Sequence, residues 1–265
     1  MPAPSVTNAA RDDPHVELVR VRMAFGDREV FRALSCRFPR GRISVVLGGS
    51  GSGKSTVLRL IGGLVRPQAG NIFVDRDDIT RRSEREIYAV RKKLGMMFQD
   101  GALLDSMTVF DNLAFPLREH TTASEAEIAT AVRASLEAVG LSRVDDLLPG
   151  QLSGGMVKRV AIARAIITRP VILLCDEPFS GLDPVSVKLI EALLVRVNRQ
   201  LHATMVIVSH HIATTMRMAD RVVLLLPEGT VDGTAEELKR STDPRVVAFL
   251  SEDAPVAAPA VDARW

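Results

Sequence analysis

The ten residues from Leu47 to Thr56, "LGGSGSGKST", constrain this chain more than any other stretch. They hold four glycines, four small hydroxyl residues and one lysine. Gly48 to Ser55 spells GxxxxGK[ST], a loop stripped of side-chain bulk so that its amide N–H groups can close on a small anion. "ISVVL" before it reads as a buried strand, and "STVLRLIGGL" after it carries helical apolar spacing. A flexible Gly-Ser linker would have neither neighbour. The strand-loop-helix context predicts that Gly48, Gly49, Ser50, Gly51, Ser52, Gly53 and Lys54 cradle the phosphates of a nucleotide.

A loop of this kind needs a sheet to carry it, and the rest of the chain supplies the signals. Strand patterns fall at 15–22, 29–38, 43–47 and 71–75, and the chain turns helical at "SEREIYAVRKKL". Short apolar runs return at "GMMFQ", "VILLC", "TMVIVS" and "RVVLLL", the last three separated by helix-like segments. Such alternation predicts an α/β fold with a mostly parallel sheet covered on both faces. Between Gln99 and Gly154 the helix-like runs dominate, which predicts a helical insertion. Past about Ser251 the composition shifts to Ala and Pro and reads as a tail that ends in the only tryptophan, Trp265.

Two further motifs give the loop chemistry to drive. "VILLCDEP" places Asp176 and Glu177 at the C-terminal end of a buried strand, where open α/β sheets collect ligands. There Asp176 would hold Mg²⁺ and Glu177 would polarise the water that attacks a γ-phosphate. Without the upstream loop, an acidic pair after a strand would read as a helix-capping turn. "LSGGM" then places Ser153, Gly154 and Gly155 at a helix start, a second anion site built from exposed amides and the positive helix end. One ATP has one triphosphate, so the second phosphate loop is expected to serve a nucleotide held by another chain.

With these motifs in this order, the sequence over residues 15–250 resembles the ATP-binding cassette (ABC) family. The resemblance implies a P-loop NTPase core over about 15–98 and 166–240 with an antiparallel β subdomain, and a helical subdomain over about 100–165. It implies ATP and Mg²⁺ as ligands, and a homodimer whose two sites each pair one chain's P-loop with the other's signature loop. It assigns Lys54 to the β- and γ-phosphates, Ser55 to the metal, Thr56 to the α-phosphate, and Gln99 in "MFQD" to sensing metal and γ-phosphate. His210 in "IVSHH" matches the switch histidine, Asp183 in "SGLDP" the loop that communicates across the dimer, and Phe25 the aromatic that stacks on adenine. Asp183 also suits an N-cap before Pro184. Three positions depart from the family pattern in the site: Met156 stands where Gln is usual, which predicts one lost polar contact to the opposing nucleotide, Phe25 stands where Tyr is commoner, which leaves the stacking ring, and His211 stands where an acid is usual.

The segment "MMFQDGALLDSMTVFDNLAFPLREHT" is similar to that of the phospholipid-transport cassettes partnered with MCE-domain proteins, as are "LSGGM", "DEPFSGLDP" and "DPRVVAFL". That branch implies a multi-span permease, a small STAS-type subunit and a periplasmic MCE ring as partners. It implies phospholipid movement between two membranes, driven from the cytoplasmic face of the inner one. A cassette for another imported or exported solute is the alternative. Leu103, Leu104, Val109, Phe110 and Phe115 are expected to line a groove for a permease helix.

Composition trims the other possibilities. A net charge of +2 lacks the basic excess of a nucleic-acid partner. The first fourteen residues lack the apolar core of a signal peptide, and no run approaches eighteen apolar residues, so a cytoplasmic chain is expected. The two cysteines, Cys36 and Cys175, lack metal-like spacing. A GTP switch would need an NKxD guanine reader, and there is none.

Overall fold

The computed structural model describes residues 13–251. The expectation for the tail and Trp265 lies outside them. The first two strands, β1 (Pro14–Phe25) and β2 (Arg28–Pro39), form a long antiparallel hairpin that turns over Gly26 and Asp27. Together with β4 (Ala69–Val74) and the two-residue β5 (Asp77–Asp78) they make a four-stranded antiparallel sheet in the order β2-β1-β4-β5.

The second sheet carries the chemistry. It comprises β3 (Ile43–Gly48), β6 (Leu94–Met97), β7 (Ile172–Asp176), β8 (Thr204–Ser209), β9 (Arg221–Leu226) and β10 (Gly229–Gly233), in the order β10-β9-β3-β8-β7-β6. All neighbours are parallel except β10, which returns antiparallel along β9. β3, β7 and β8 are buried along their whole length because both faces of the sheet are covered, which is why they read as unbroken apolar runs. Alternate residues feed two cores. Val46, Leu174, Val206 and Val208 pack with the antiparallel sheet, with α1 (Lys54–Ile61) and with Ile87 and Val90 of the next helix, whereas Val45, Leu47, Leu173, Cys175 and Ile207 face the helices that follow β6 in the chain.

The expected helical insertion is present as α3 (Val109–His120), α4 (Glu125–Ala138) and α5 (Gly154–Ile166), which pack on one another, with α5 also against β6. α2 (Glu84–Arg91) precedes β6; α6 (Pro184–Leu201), α7 (Ile212–Met218), α8 (Ala235–Lys239) and α9 (Pro244–Ser251) complete the chain. Ser83, Ser124, Ser153, Asp183 and Thr234 each accept a backbone N–H at a helix start, the side-chain chemistry an N-cap requires.

A buried polar cluster joins the two sheets. His15 on β1, 2% exposed, contacts Thr204 on β8 through Nδ1 at 2.6 Å, and Arg40 lies 3.0 Å from its Nε2. Arg40 cannot accept, so Nε2 is the acceptor and Nδ1–H donates to the threonine hydroxyl. Burial, reinforced by the Arg40 charge, lowers the His15 pKa to about 4. Asp75, hydrogen-bonded to Arg40 and Lys93, is held down at about 2. Cys36 and Cys175 are free and buried, and burial pushes the Cys175 thiol up to about 12. Among the described residues no helix is long and apolar enough to cross a membrane.

Candidate active site

The P-loop leaves the end of β3 and enters α1 with Lys54 as its first helical residue. Gly51 and Gly53 sit at φ +77° and +96°, where an L side chain is strained. At Gly53 the packing forbids one as well, because a Cβ would stand 2.5 Å from Val30 Cγ1 and 2.6 Å from Phe31 Cζ. The glycine thus lets the antiparallel sheet close against the loop. Lys54 Nζ donates to the carbonyls of Gly48 (2.8 Å) and Gly49 (3.0 Å), and it lies 4.0 Å from Glu177 Oε1. The ammonium is therefore folded back over its own loop, 9% exposed, with a catalytic-type carboxylate beside it.

β7 runs beside β8, and its last residue, Asp176, accepts a 3.0 Å hydrogen bond from Ser55 Oγ. Burial raises the Asp176 pKa, with Glu177 adding to the rise and the Ser55 bond opposing it. A buried carboxylate held against a serine hydroxyl, with the Gln99 amide on the same cleft, makes an all-oxygen donor set that suits a hard cation such as Mg²⁺. Glu177 follows at φ +46°, with its N–H donating to Val208 O at 3.0 Å. Its Oε2 lies 2.9 Å from His210 Nδ1. The carboxylate only accepts, so Nδ1–H donates, and in the neutral ring Nε2 is an acceptor. His210 stacks at 4.6 Å on His211, which in turn meets Phe179 edge-on at 5.9 Å.

These elements enclose a cleft of about 660 Å³. It brings together Phe25, Ser50, Gly51, Gly53, Lys54, Ser55, Thr56, Gln99, Glu177 and His210, with Asp176 behind Ser55. Gly48, Gly49 and Ser52 belong to the same loop but do not line the cleft: Gly48 is buried at the end of β3, Gly49 is exposed, and Ser52 faces a neighbouring hollow with Phe31 and Leu225. Phe25 is 45% exposed at its mouth, free to stack on a flat ring. The other four sequence-predicted residues are elsewhere. Ser153 caps α5 through Met156 N at 3.3 Å, and Gly154 and Gly155 begin that helix. Asp183 caps α6 by accepting from Val185 N and Ser186 N at 2.9 and 3.0 Å. Gly154 lines a separate hollow with Gln99, Lys158 and Ser180.

Comparison with known proteins decides the family. The family model described as ABC transporter matches residues 31–180. The chain belongs to the ABC transporter family. It is 43% identical over 244 residues to the intermembrane phospholipid transport system ATP-binding protein MlaF of Haemophilus influenzae, an alignment covering 91% of this chain and 92% of that one. It is 42% identical to MlaF of Escherichia coli K12, with 91% of both chains covered. The probable ribonucleotide transport ATP-binding protein mkl of Mycobacterium tuberculosis H37Rv is also 42% identical, over 89% of this chain and 66% of its own length. Among solved structures, the cassette MJ0796, dimeric and bound to ADP and Pi, superposes with a TM-score of 0.76 at 29% identity, covering 83% of this chain and 98% of that one. CbiO1 of Clostridium perfringens superposes at 0.79 with 28% identity, covering 92% and 97%. The chain is thus an ABC ATPase subunit that binds and hydrolyses ATP, and the solved MJ0796 cassette is a dimer.

The expected permease groove needs correction. Val109 is fully buried in the core, and Leu103 and Phe110 are partly buried against it. Val109, Leu113 and Leu117 make the inward face of α3 at helical spacing, so Phe115 is turned outward. Only Leu104 (42% exposed) and Phe115 (44%) of the five line an open cleft, of about 630 Å³, beside Phe98 (39%). Sequence reasoning also missed two residues near the nucleotide loops. Arg28 lines the cleft and donates to Gly51 O at 3.1 Å, from the far side of a hairpin turn that brings it beside Phe25. Lys158 lies inside "VKRVAIARAI", where one lysine among arginines carries no sequence mark of its role.

Proposed function

We propose that two copies of this chain form an ATPase that drives phospholipid transport through a membrane permease, working at the cytoplasmic face of the inner membrane. The observation carrying the phospholipid reading is the alignment with the MlaF proteins over 91–92% of both chains, against 66% of the length of mkl at equal identity. In each site Lys54 and the P-loop amides bind the phosphates, Thr56 supports the α-phosphate, and Phe25 stacks on the base. Ser55, Asp176 and Gln99 would hold Mg²⁺, which when bound offsets phosphate charge. Glu177 orients the attacking water. His210 keeps its Nδ1 bond to Glu177; it can donate from Nε2 to the γ-phosphate only as the imidazolium. Ser153, Gly154 and Gly155 complete the partner's site across the dimer, and Asp183 lies where the two chains meet.

The separation of Ser153 from the cleft supports that two-chain arrangement, since the start of α5 does not line the cleft of its own P-loop. The cleft of Phe98, Leu104 and Phe115 would receive a helix of a multi-span permease, and the wider complex would include a STAS-type subunit and an MCE lipid-binding ring. Co-purification with a multi-span permease and reconstitution into proteoliposomes test the solute. ATPase stimulated by glycerophospholipid, with labelled lipid moved on ATP addition, is the expected result. Uptake of a ribonucleotide with indifference to phospholipid would overturn it in favour of the mkl-like reading.

A further inference from the structure

Lys158, on the second turn of α5, is 7% exposed, and among the described residues its ammonium has three acceptors: the carbonyls of Gln99 and Glu177 and the hydroxyl of Ser180. The Glu177 and Ser180 contacts are 3.3 and 3.2 Å. An ammonium has three N–H donors, so this one is saturated without a carboxylate in direct contact. Burial lowers its pKa, while the charges of Asp100, Glu177 and Asp176 around it work the other way. A buried lysine that serves only packing would be replaceable by an apolar residue at less desolvation cost. Its three partners give the position a different meaning.

Two of those partners are the backbones of Gln99 and Glu177, whose side chains line the cleft and are assigned above to metal and water. Glu177 is a non-glycine residue at φ +46°, a conformation that persists only where surrounding bonds over-determine it. Its N–H is held by Val208, and its carbonyl is held by Ser180 Oγ at 3.0 Å, Ser180 N at 3.3 Å and Lys158. Lys158 is the only one of these anchors that comes from α5, the helix whose first turn carries Ser153 and Gly154.

We propose that Lys158 is a positioning residue for hydrolysis: it fixes the Gln99 and Glu177 backbones to the signature helix, so that the groups acting on a chain's own ATP move with the helix start offered to the partner's ATP. The proposal rests on the assignment of Glu177 to hydrolysis and on the two-chain reading above, and it is independent of the transported solute. Removing the ammonium would let the Glu177 backbone relax and shift its carboxylate. A displacement near 1 Å at a reacting centre costs roughly a hundredfold in rate. ATP binding, made by Lys54 and the P-loop, would be untouched.

The test compares Lys158→Gln, Lys158→Arg and Ser180→Ala in the assembled transporter, reading kcat, MgATP dissociation constant and melting temperature. For Lys158→Gln the expected result is kcat at least tenfold lower with the dissociation constant within twofold of wild type, and Lys158→Arg at least threefold faster than Lys158→Gln. A kcat within threefold of wild type would overturn the proposal. So would parallel losses of kcat, affinity and melting temperature with no recovery in Lys158→Arg, because that is the pattern of a purely structural residue. If Lys158→Gln does not fold, Ser180→Ala decides: an expected threefold loss of kcat at unchanged melting temperature supports the link, and an unchanged kcat overturns it. A wild-type complex with no ATPase would instead count against the assignment of Glu177.

Discussion

The P-loop and the signature turn are both glycine-rich loops leading into a helix, and they could hardly be furnished more differently. At the first, the chain supplies everything a triphosphate needs: Lys54 folded over Gly48 and Gly49, Ser55 bonded to Asp176, and Glu177 with His210 across the cleft. At the second, Ser153 and Gly154 are exposed, and the serine hydroxyl is engaged only in capping its own helix. A helix N-terminus that offers anion-binding amides apart from the lysine, metal-binding and water-orienting groups of the P-loop cleft has the character of half a site. The difference is the one that the proposed two-chain site requires.

The sharpest way to break the comparison is to remove chemistry from the complete loop and leave binding intact. Glu177→Gln should cut turnover by about a hundredfold or more while ATP stays bound and the dimer stays closed, read by phosphate release and by size-exclusion with ATP. Turnover within about twofold of wild type would take Glu177 out of its role. Lys54→Ala acts on binding itself: loss of a charge-assisted contact should weaken ATP by roughly ten- to a hundredfold in a calorimetric titration. Unchanged affinity would contradict the phosphate assignment.

The helical insertion sharpens the contrast from the other side. Phe115→Asp should leave the melting temperature within a few degrees and abolish capture of the permease, because the ring stands in the open cleft. Phe110→Asp should instead destabilise the fold by about 2–4 kcal/mol, since it puts a carboxylate against the core. Equal effects on assembly and stability from both variants would erase the distinction between the two faces of α3.

The smallest expected effect lies away from the cleft, at the joint between the sheets. His15 titrates near 4 when folded and at 6.5 in a free chain, so the unfolded state takes up the proton first as pH falls. The stability that neutral His15 provides is complete above pH 6.5 and declines toward pH 4, at no more than about 1.4 kcal/mol per unit. Urea midpoints between pH 7 and pH 5 should fall in wild type and fall less in His15→Gln. Parallel curves would remove His15 from the pH response.

The parallel sheet was legible in the sequence because burial on both faces writes itself as continuous apolar runs, as in "VILLC" and "TMVIVS". β5 and β10 were not legible. The first is two aspartates at a sheet edge, and the second, "GTVDG", has one apolar side chain and owes its strand to pairing with β9. At the site, glycine spacing and the acidic pair could be read directly, because phosphate and metal chemistry demand those residue types in order. Lys158 and Arg28 could not, since each acts by reaching a backbone carbonyl far away in the chain. The groove expectation failed for three residues of five because an apolar side chain on an amphipathic helix carries no mark of which face it occupies.

The central claim, that each ATP is served by two chains, is tested most directly by mixing two defective ones. Homodimers of Lys54→Ala and of Ser153→Arg have no sound site under either arrangement. In their heterodimer, the two-chain account leaves one intact pairing, the P-loop of the Ser153→Arg chain with the signature turn of the Lys54→Ala chain. Vanadate trapping of labelled nucleotide in purified, differently tagged heterodimers should therefore occlude about one nucleotide per dimer, where each homodimer occludes none. A heterodimer as empty as its parents would mean that Ser153 serves the ATP on its own chain, and the account would be wrong.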